Sequence, residues 1–284
     1  MWRDLPIIIR QNVRQRTGYR LLSDKVSDRG FDICGVRESE AGDSPRSLSR
    51  KHYVRTGEEI VLEKRPLRNA AVLFLLDASA SEQIGADGTK YEASLRLLRH
   101  MARACLWQGN TAQVIVFTTR VEWESGIIHD SRALEDVMDQ LSDLKPGFSG
   151  TDHRDVLDHA LSTTGRADHP ADLVFIISDL IFPRPREGFF RDLMDLGDEA
   201  DVIALIVCDR IEKEMPLLNR SLMVRDSETG EMFWASGSTG TDPAEELSQC
   251  GIDTCTLMTS QTEEEWFGTL SDFFQKRESS RVCP

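Results

Sequence analysis

The sequence predicts an α/β protein with a doubly wound, mainly parallel sheet and a small antiparallel β appendage, and three observations carry that prediction. Segments 70–76, 112–118, 173–177 and 202–207 are apolar throughout or nearly so, the pattern of strands buried on both faces. Segments 91–108, 131–144 and 153–163 lie between them with apolar residues at helical spacing, Leu95, Leu98, Met101, Ala102 and Cys105 in the first. Strand and helix therefore alternate, which makes the sheet mainly parallel. The alternation pauses over 210–240, where 221–225 and 231–234 flank the turn-rich Asp226-Ser-Glu-Thr-Gly230 and predict a hairpin.

The last part of the chain restores the alternation, with a helix near 243–250, a strand near 253–258 and a helix near 262–277. The first 69 residues are more polar and less periodic. Within them 52–55 and 59–64 read as extended stretches on either side of Thr56-Gly57, a second hairpin. Two hairpins on one edge would pair into the small antiparallel sheet. The expected organisation is thus an N-terminal lead-in and β-hairpin region over 1–69, the α/β domain over 70–277 with a hairpin insertion at about 210–240, and a tail over 278–284.

Forty-eight Asp and Glu against 34 Lys and Arg give a net charge of -14, which argues against a surface that tracks nucleic-acid phosphates. The basic stretch holding Arg3, Arg10, Arg14, Arg16 and Arg20 is the exception. It suits a solvated helix face, or docking on an acidic partner or anionic surface. The apolar runs are far shorter than the roughly 20 residues a membrane-spanning helix requires, and residues 1–10 lack the features of a signal peptide. The six cysteines include no C-x-x-C pair and read as reduced thiols. A cytoplasmic setting is the expectation.

Chemistry concentrates at the ends of the buried strands. Asp77-Ala-Ser79-Ala-Ser81 follows the first run, and in a tight turn residues i, i+2 and i+4 point into one concavity. A carboxylate and two hydroxyls there offer hard oxygens that suit Mg²⁺ or Mn²⁺. Thr151, in Ser149-Gly-Thr151-Asp152, and Asp179, directly after the run 173–177 and Ser178, occupy equivalent positions. Loops at the carboxyl ends of an open parallel sheet converge where the strand order reverses. Without a metal, Asp77 and Asp179 would cap turns or helix ends.

These residues resemble the metal-ion-dependent adhesion site of von Willebrand factor A domains. The wider chain, from Leu21 to Arg277, resembles the MoxR-associated family known as domain of unknown function fifty-eight. The likeness includes Gly30-Phe-Asp-Ile-Cys-Gly-Val-Arg37, Gly42-Asp43-Ser-Pro-Arg46, Asp77-Ala-Ser-Ala-Ser81, Asp201-Val-Ile-Ala-Leu-Ile-Val207, Asp226-Ser-Glu-Thr-Gly230, and Gly251-Ile-Asp with Phe273-Phe274. The resemblance implies a six-stranded sheet, a metal at the strand ends, partnership with MoxR-type AAA+ ATPases in maturation or assembly of a client protein, and no catalytic activity. The chain departs from the family pattern at Leu48-Ser49-Arg50, where Ile-Asp-Trp is usual, and at Glu82, where Met is usual. The second departure adds a negative charge beside the metal loop without removing a ligand. For Gly42, Asp43 and Arg46 two roles stand side by side, a partner-facing loop and an Asx-type turn stapled by the arginine.

The expected function is accordingly a non-enzymatic, divalent-metal-dependent interaction module with Asp77, Ser79, Ser81, Thr151 and Asp179 at the metal. The main alternative is a metal-dependent phosphatase-like hydrolase with Asp77 as nucleophile. That chemistry asks for a second acidic residue two positions on as acid/base, where this chain has Ser79. A zinc site is not indicated, since His153 and His159 fall on different helix faces.

Overall fold

The computed structural model describes residues 1–7, 9, 32–38, 49–57, 59–65, 70–83, 85, 88–144, 154–164, 171–180, 187–210, 222–225, 232–235 and 243–279. The chain divides into two compact units, Gln15–Asn69 and the pair of segments Met1–Arg14 with Ala70–Pro284. The first fourteen residues therefore belong with the main domain, and not with a lead-in over 1–69.

In the smaller unit β1 (Asp32–Glu38) pairs antiparallel with β2 (Ile60–Arg65), with a register irregularity between Ile33 and Gly35. The segment 52–55, expected to be extended, is instead part of helix α1 (Arg50–Thr56). Ser49 caps it by accepting from the His52 N–H at 3.4 Å, and Gly57 ends it in the left-handed conformation at φ 79. A serine at the start and a glycine at the stop outweigh the extended bias of Tyr53 and Val54.

The main unit is built on a six-stranded sheet. Its strands in chain order are β3 (Ala71–Asp77), β4 (Thr111–Phe117), β5 (Val121–Glu124), β6 (Leu173–Ser178), β7 (Asp201–Cys208) and, after the β8/β9 hairpin (Leu222–Arg225 with Met232–Ala235), β10 (Asp253–Met258). Their spatial order is β10-β7-β6-β3-β4-β5, parallel throughout except for β5, which runs antiparallel to β4 at the edge. Among the described residues β1-β2 and β8-β9 are separate two-stranded sheets.

Successive side chains of β3 point to opposite faces and seed two cores. Val72, Phe74 and Leu76 pack with residues of α2 (Lys90–Trp107), α3 (Ser131–Asp143) and the closing helix, among them Met101, Leu141, Trp266 and Phe274. Leu73 and Leu75 pack on the other side with Leu157, Leu193 and Leu247. Those come from α4 (Arg154–Thr164), α5 (Glu187–Glu199) and α6 (Pro243–Gln249); α7 (Glu263–Ser279) is the closing helix. Helices thus cover both faces, so the central strands carry no alternation to read.

Trp2 and Leu5 are buried in the first core although no sequence pattern singled them out. Trp2 stacks on His100 of α2, with ring centroids 4.4 Å apart, and meets Phe267 edge-on. The Leu5 carbonyl accepts from the Gln108 side chain at 2.6 Å. No described helix is long and apolar enough to cross a membrane.

Candidate metal centre

Strand β3 sits between β4 and β6, and the chain leaves it toward β4 but returns on its other side at β6. This is the reversal of strand order, and the carboxyl ends of β3 and β6 bound the crevice where ligands bind in open α/β sheets. Asp77 is the last residue of β3, and Asp179 follows the last residue of β6.

Both Asp77 oxygens are held. Oδ1 accepts the Ser79 N–H at 2.8 Å, and Oδ2 accepts the Ser178 hydroxyl at 2.6 Å. The Ser79 and Ser81 hydroxyls stand 3.2 Å apart, Ser81 lying in the one-turn 3-10 helix Ala80–Gln83. Turning the chain after Asp77 thus brings the two hydroxyls together. Thr151 lies outside the described residues, as do Gly42, Asp43, Arg46 and the 226–230 turn.

Two further charged groups enter the site. Glu82 Oε1 accepts the Asp179 N–H at 2.9 Å, and the Ser94 hydroxyl approaches its other oxygen at 3.5 Å. Lys90 places its ammonium 2.5 Å from Asp179 Oδ2. Asp77, Asp179, Glu82 and Lys90 are all buried. The backbone helps to aim them: Leu180 is held at φ 56, uncommon for a residue with a side chain, and its N–H donates to the Ser178 hydroxyl at 2.9 Å.

Lys90 reaches the cluster because α2 starts where it does. Thr89 and Glu92 form a reciprocal capping box, the Glu92 N–H donating to Thr89 Oγ1 at 3.1 Å and the Thr89 N–H to Glu92 Oε2 at 3.2 Å. The loop before it needs Gly85, since a Cβ there would lie 1.8 Å from the Gly88 carbonyl oxygen.

Burial, followed by the Asp179 charge, pushes the Asp77 carboxyl up to about 7, against hydrogen bonds from Ser178 and Ser79 that favour its ionised form. Burial and the charges of Asp179 and Asp77 likewise raise Glu82 well above the usual carboxylate range, with Lys90 opposing. These groups fit a dication. The oxygens of Asp77, Glu82 and Asp179 lie within 4.8 Å of one another, and a bound cation that ionises all three would meet two more negative charges than the Lys90 ammonium offsets. Hard oxygens with that excess charge suit a small divalent ion.

The Asp77 shift sets a pH dependence. Its carboxyl ionises near 3.8 when unfolded and near 7 when folded, so ionisation opposes folding, by up to about 4 kcal/mol. That opposition is absent below the lower value and complete above the higher one. In chelator, the melting temperature of the wild type relative to Asp77→Asn is expected to fall between about pH 4 and about pH 8. A difference that stays flat across that window would show that Asp77 keeps its charge at no cost.

Residues 35–241 match the model of the family described as "Protein of unknown function DUF58". No curated protein sequence matches the chain. Among solved structures, the chain is similar to the conserved hypothetical protein BatB from Bacteroides thetaiotaomicron at 14% identity and a TM-score of 0.50, covering 74% of this chain and 100% of that one. It is similar to an aerotolerance-related membrane protein from Bacteroides fragilis NCTC 9343 at 14% identity and a TM-score of 0.50, covering 73% and 100%. A von Willebrand factor type A structure from Catenulispora acidiphila aligns at 12% identity and a TM-score of 0.43, over 74% of this chain and 42% of that one. The likeness to the BatB and aerotolerance-related structures is one of fold alone, a mainly parallel sheet between helices.

Proposed function

We propose that this chain, which belongs to the DUF58 family, is a non-enzymatic, divalent-metal-dependent protein-interaction module working in the cytoplasm. In this reading Asp77, Ser79, Ser81, Thr151 and Asp179 hold Mg²⁺ or Mn²⁺. A MoxR-type AAA+ ATPase binds there during assembly or maturation of a client protein. The observation that carries the reading is the cluster of three buried carboxyl groups at the strand-order reversal, their oxygens within 4.8 Å of one another. A bound dication neutralises the four charged side chains taken together. Lys90 offsets the charge that Glu82 adds, so the ion keeps the capacity to attract one more anionic oxygen, and a partner's Asp or Glu supplies it.

A phosphatase-like hydrolase with Asp77 as nucleophile would need an acid/base carboxyl two residues on, where this chain has Ser79.

Binding is expected to follow the metal more than the salt concentration, because a net charge of -14 gives no long-range attraction to an acidic partner. Immobilised protein is expected to capture a purified MoxR-type ATPase in Mg²⁺, and to lose it in chelator or as Asp77→Ala. Capture that survives both treatments would move the interaction to another surface.

A further inference from the structure

We infer that Lys90 is a resident counter-ion of this site, holding Asp179 in the metal-free protein and passing to Glu82 when a divalent ion takes Asp179. The inference rests on the metal reading above. Its basis is a lysine with no exposed surface whose ammonium lies 2.5 Å from one of the proposed ligands. Since the oxygens of Asp77, Glu82 and Asp179 all lie within 4.8 Å of one another, an ion shared by Asp77 and Asp179 would stand within a few ångströms of that ammonium. Two cations so close in a buried site repel strongly. One of them has to give way.

Lysine suits that task, because its charge is a compact point on a flexible four-carbon stem with three rotatable donors. Glu82 provides the place to go. Its carboxylate is buried beside Asp179, accepts the Asp179 N–H, and already feels the Lys90 charge. The exchange leaves every charge paired: Asp77 and Asp179 neutralise the ion, and Glu82 neutralises Lys90. Before metal arrives, the same ammonium offsets the charge of Asp179 among its buried acidic neighbours. Glu82 thereby acquires a role beyond adding charge, and Lys90 acts as a positioning residue.

The test is a double-mutant cycle read by calorimetric titration with Mn²⁺ and by melting in chelator, using wild type, K90M, E82Q and K90M/E82Q in the full chain. K90M is expected to bind Mn²⁺ on the order of tenfold more tightly than wild type, and to melt lower in chelator with recovery in Mn²⁺. E82Q is expected to bind on the order of tenfold more weakly, because the buried carboxyl that would receive the Lys90 ammonium is gone. In the K90M background the same E82Q change is expected to lose most of its effect.

K90M that binds no better than wild type overturns the competition. An E82Q penalty of equal size in both backgrounds overturns the handover to Glu82 and leaves that residue as plain negative charge. If K90M alone does not fold, K90M/E82Q loses one charge of each sign and still decides the matter: it binds at least about tenfold more tightly than E82Q, or the inference fails. Absence of Mn²⁺ binding in all four proteins would instead defeat the metal reading itself.

Discussion

Arg277→Ala is expected to lower the stability of the main domain by about 3–5 kcal/mol, with a fall in melting temperature of roughly 10 °C. Arg277 lies near the end of α7 and is buried, with one guanidinium nitrogen 2.6 Å from Asp201 and the other on Asp253. Asp201 opens β7 and Asp253 opens β10, so a single side chain ties the closing helix to the starts of two strands. It also lies over the Phe273 ring at 5.7 Å. Truncation removes the guanidinium from two carboxylates, one of them buried, and breaking such a pair costs far more than a surface ion pair contributes. Arg277→Lys is expected to recover only part of the loss, since a point charge cannot span both partners as a planar fork does. Metal affinity is expected to stay unchanged, because these contacts lie at the opposite ends of the strands from Asp77 and Asp179. Urea unfolding and Mn²⁺ titration of the same preparations check both statements, and a loss under 1 kcal/mol would show that the clamp is dispensable.

The second large effect separates folding from metal binding. Asp77→Asn is expected to abolish the stabilisation that saturating Mg²⁺ or Mn²⁺ gives the wild type, about 2.7 kcal/mol at one hundred times the dissociation constant. In chelator near pH 8 the same variant is expected to melt at or above the wild-type temperature. The opposite signs share a cause. Asp77 is buried beside Asp179, and its charge is unfavourable until a cation arrives. Asparagine keeps an acceptor for the Ser79 N–H while removing that charge. Melting curves in chelator and in excess metal decide the matter. A variant that still shifts with Mn²⁺ would place the ion elsewhere, and one that melts far below wild type in chelator would make Asp77 a structural group.

Most of the sheet was legible because buried parallel strands announce themselves as short apolar runs. The runs ending near Leu76, Thr118, Ile177 and Val207 correspond to β3, β4, β6 and β7, and the helices between them begin and end within about two residues of their expected bounds. Strand β5 escaped, since Val-Glu-Trp-Glu is four residues long and only partly buried. The segment 187–199 was likewise not singled out, though it forms α5. The antiparallel pair β8-β9 was legible from its turn, whereas α1 was mistaken for a strand because its seven residues carry too little periodicity to outweigh local bias.

Local chain geometry after β3 brings Ser79 and Ser81 to Asp77, and that much is legible in the sequence, whereas Asp179 joins them because β6 pairs with β3. Glu82 and Lys90 are different. In the sequence they are ordinary charged residues, one in a turn and one at the start of a helix, of the kind that usually faces water. Their place was decided by packing. The backbone that follows β6 turns at Leu180, aiming the Asp179 N–H at Glu82, and the Thr89 cap starts α2 where Lys90 meets Asp179, 89 residues away in the chain. Trp2 and Leu5 belong to the same class, as does Arg277, whose two carboxylates lie 24 and 76 residues away. Local sequence can specify which oxygens share a turn. Whether a charge is buried, and against which partner, depends on distant segments that meet only in the folded chain.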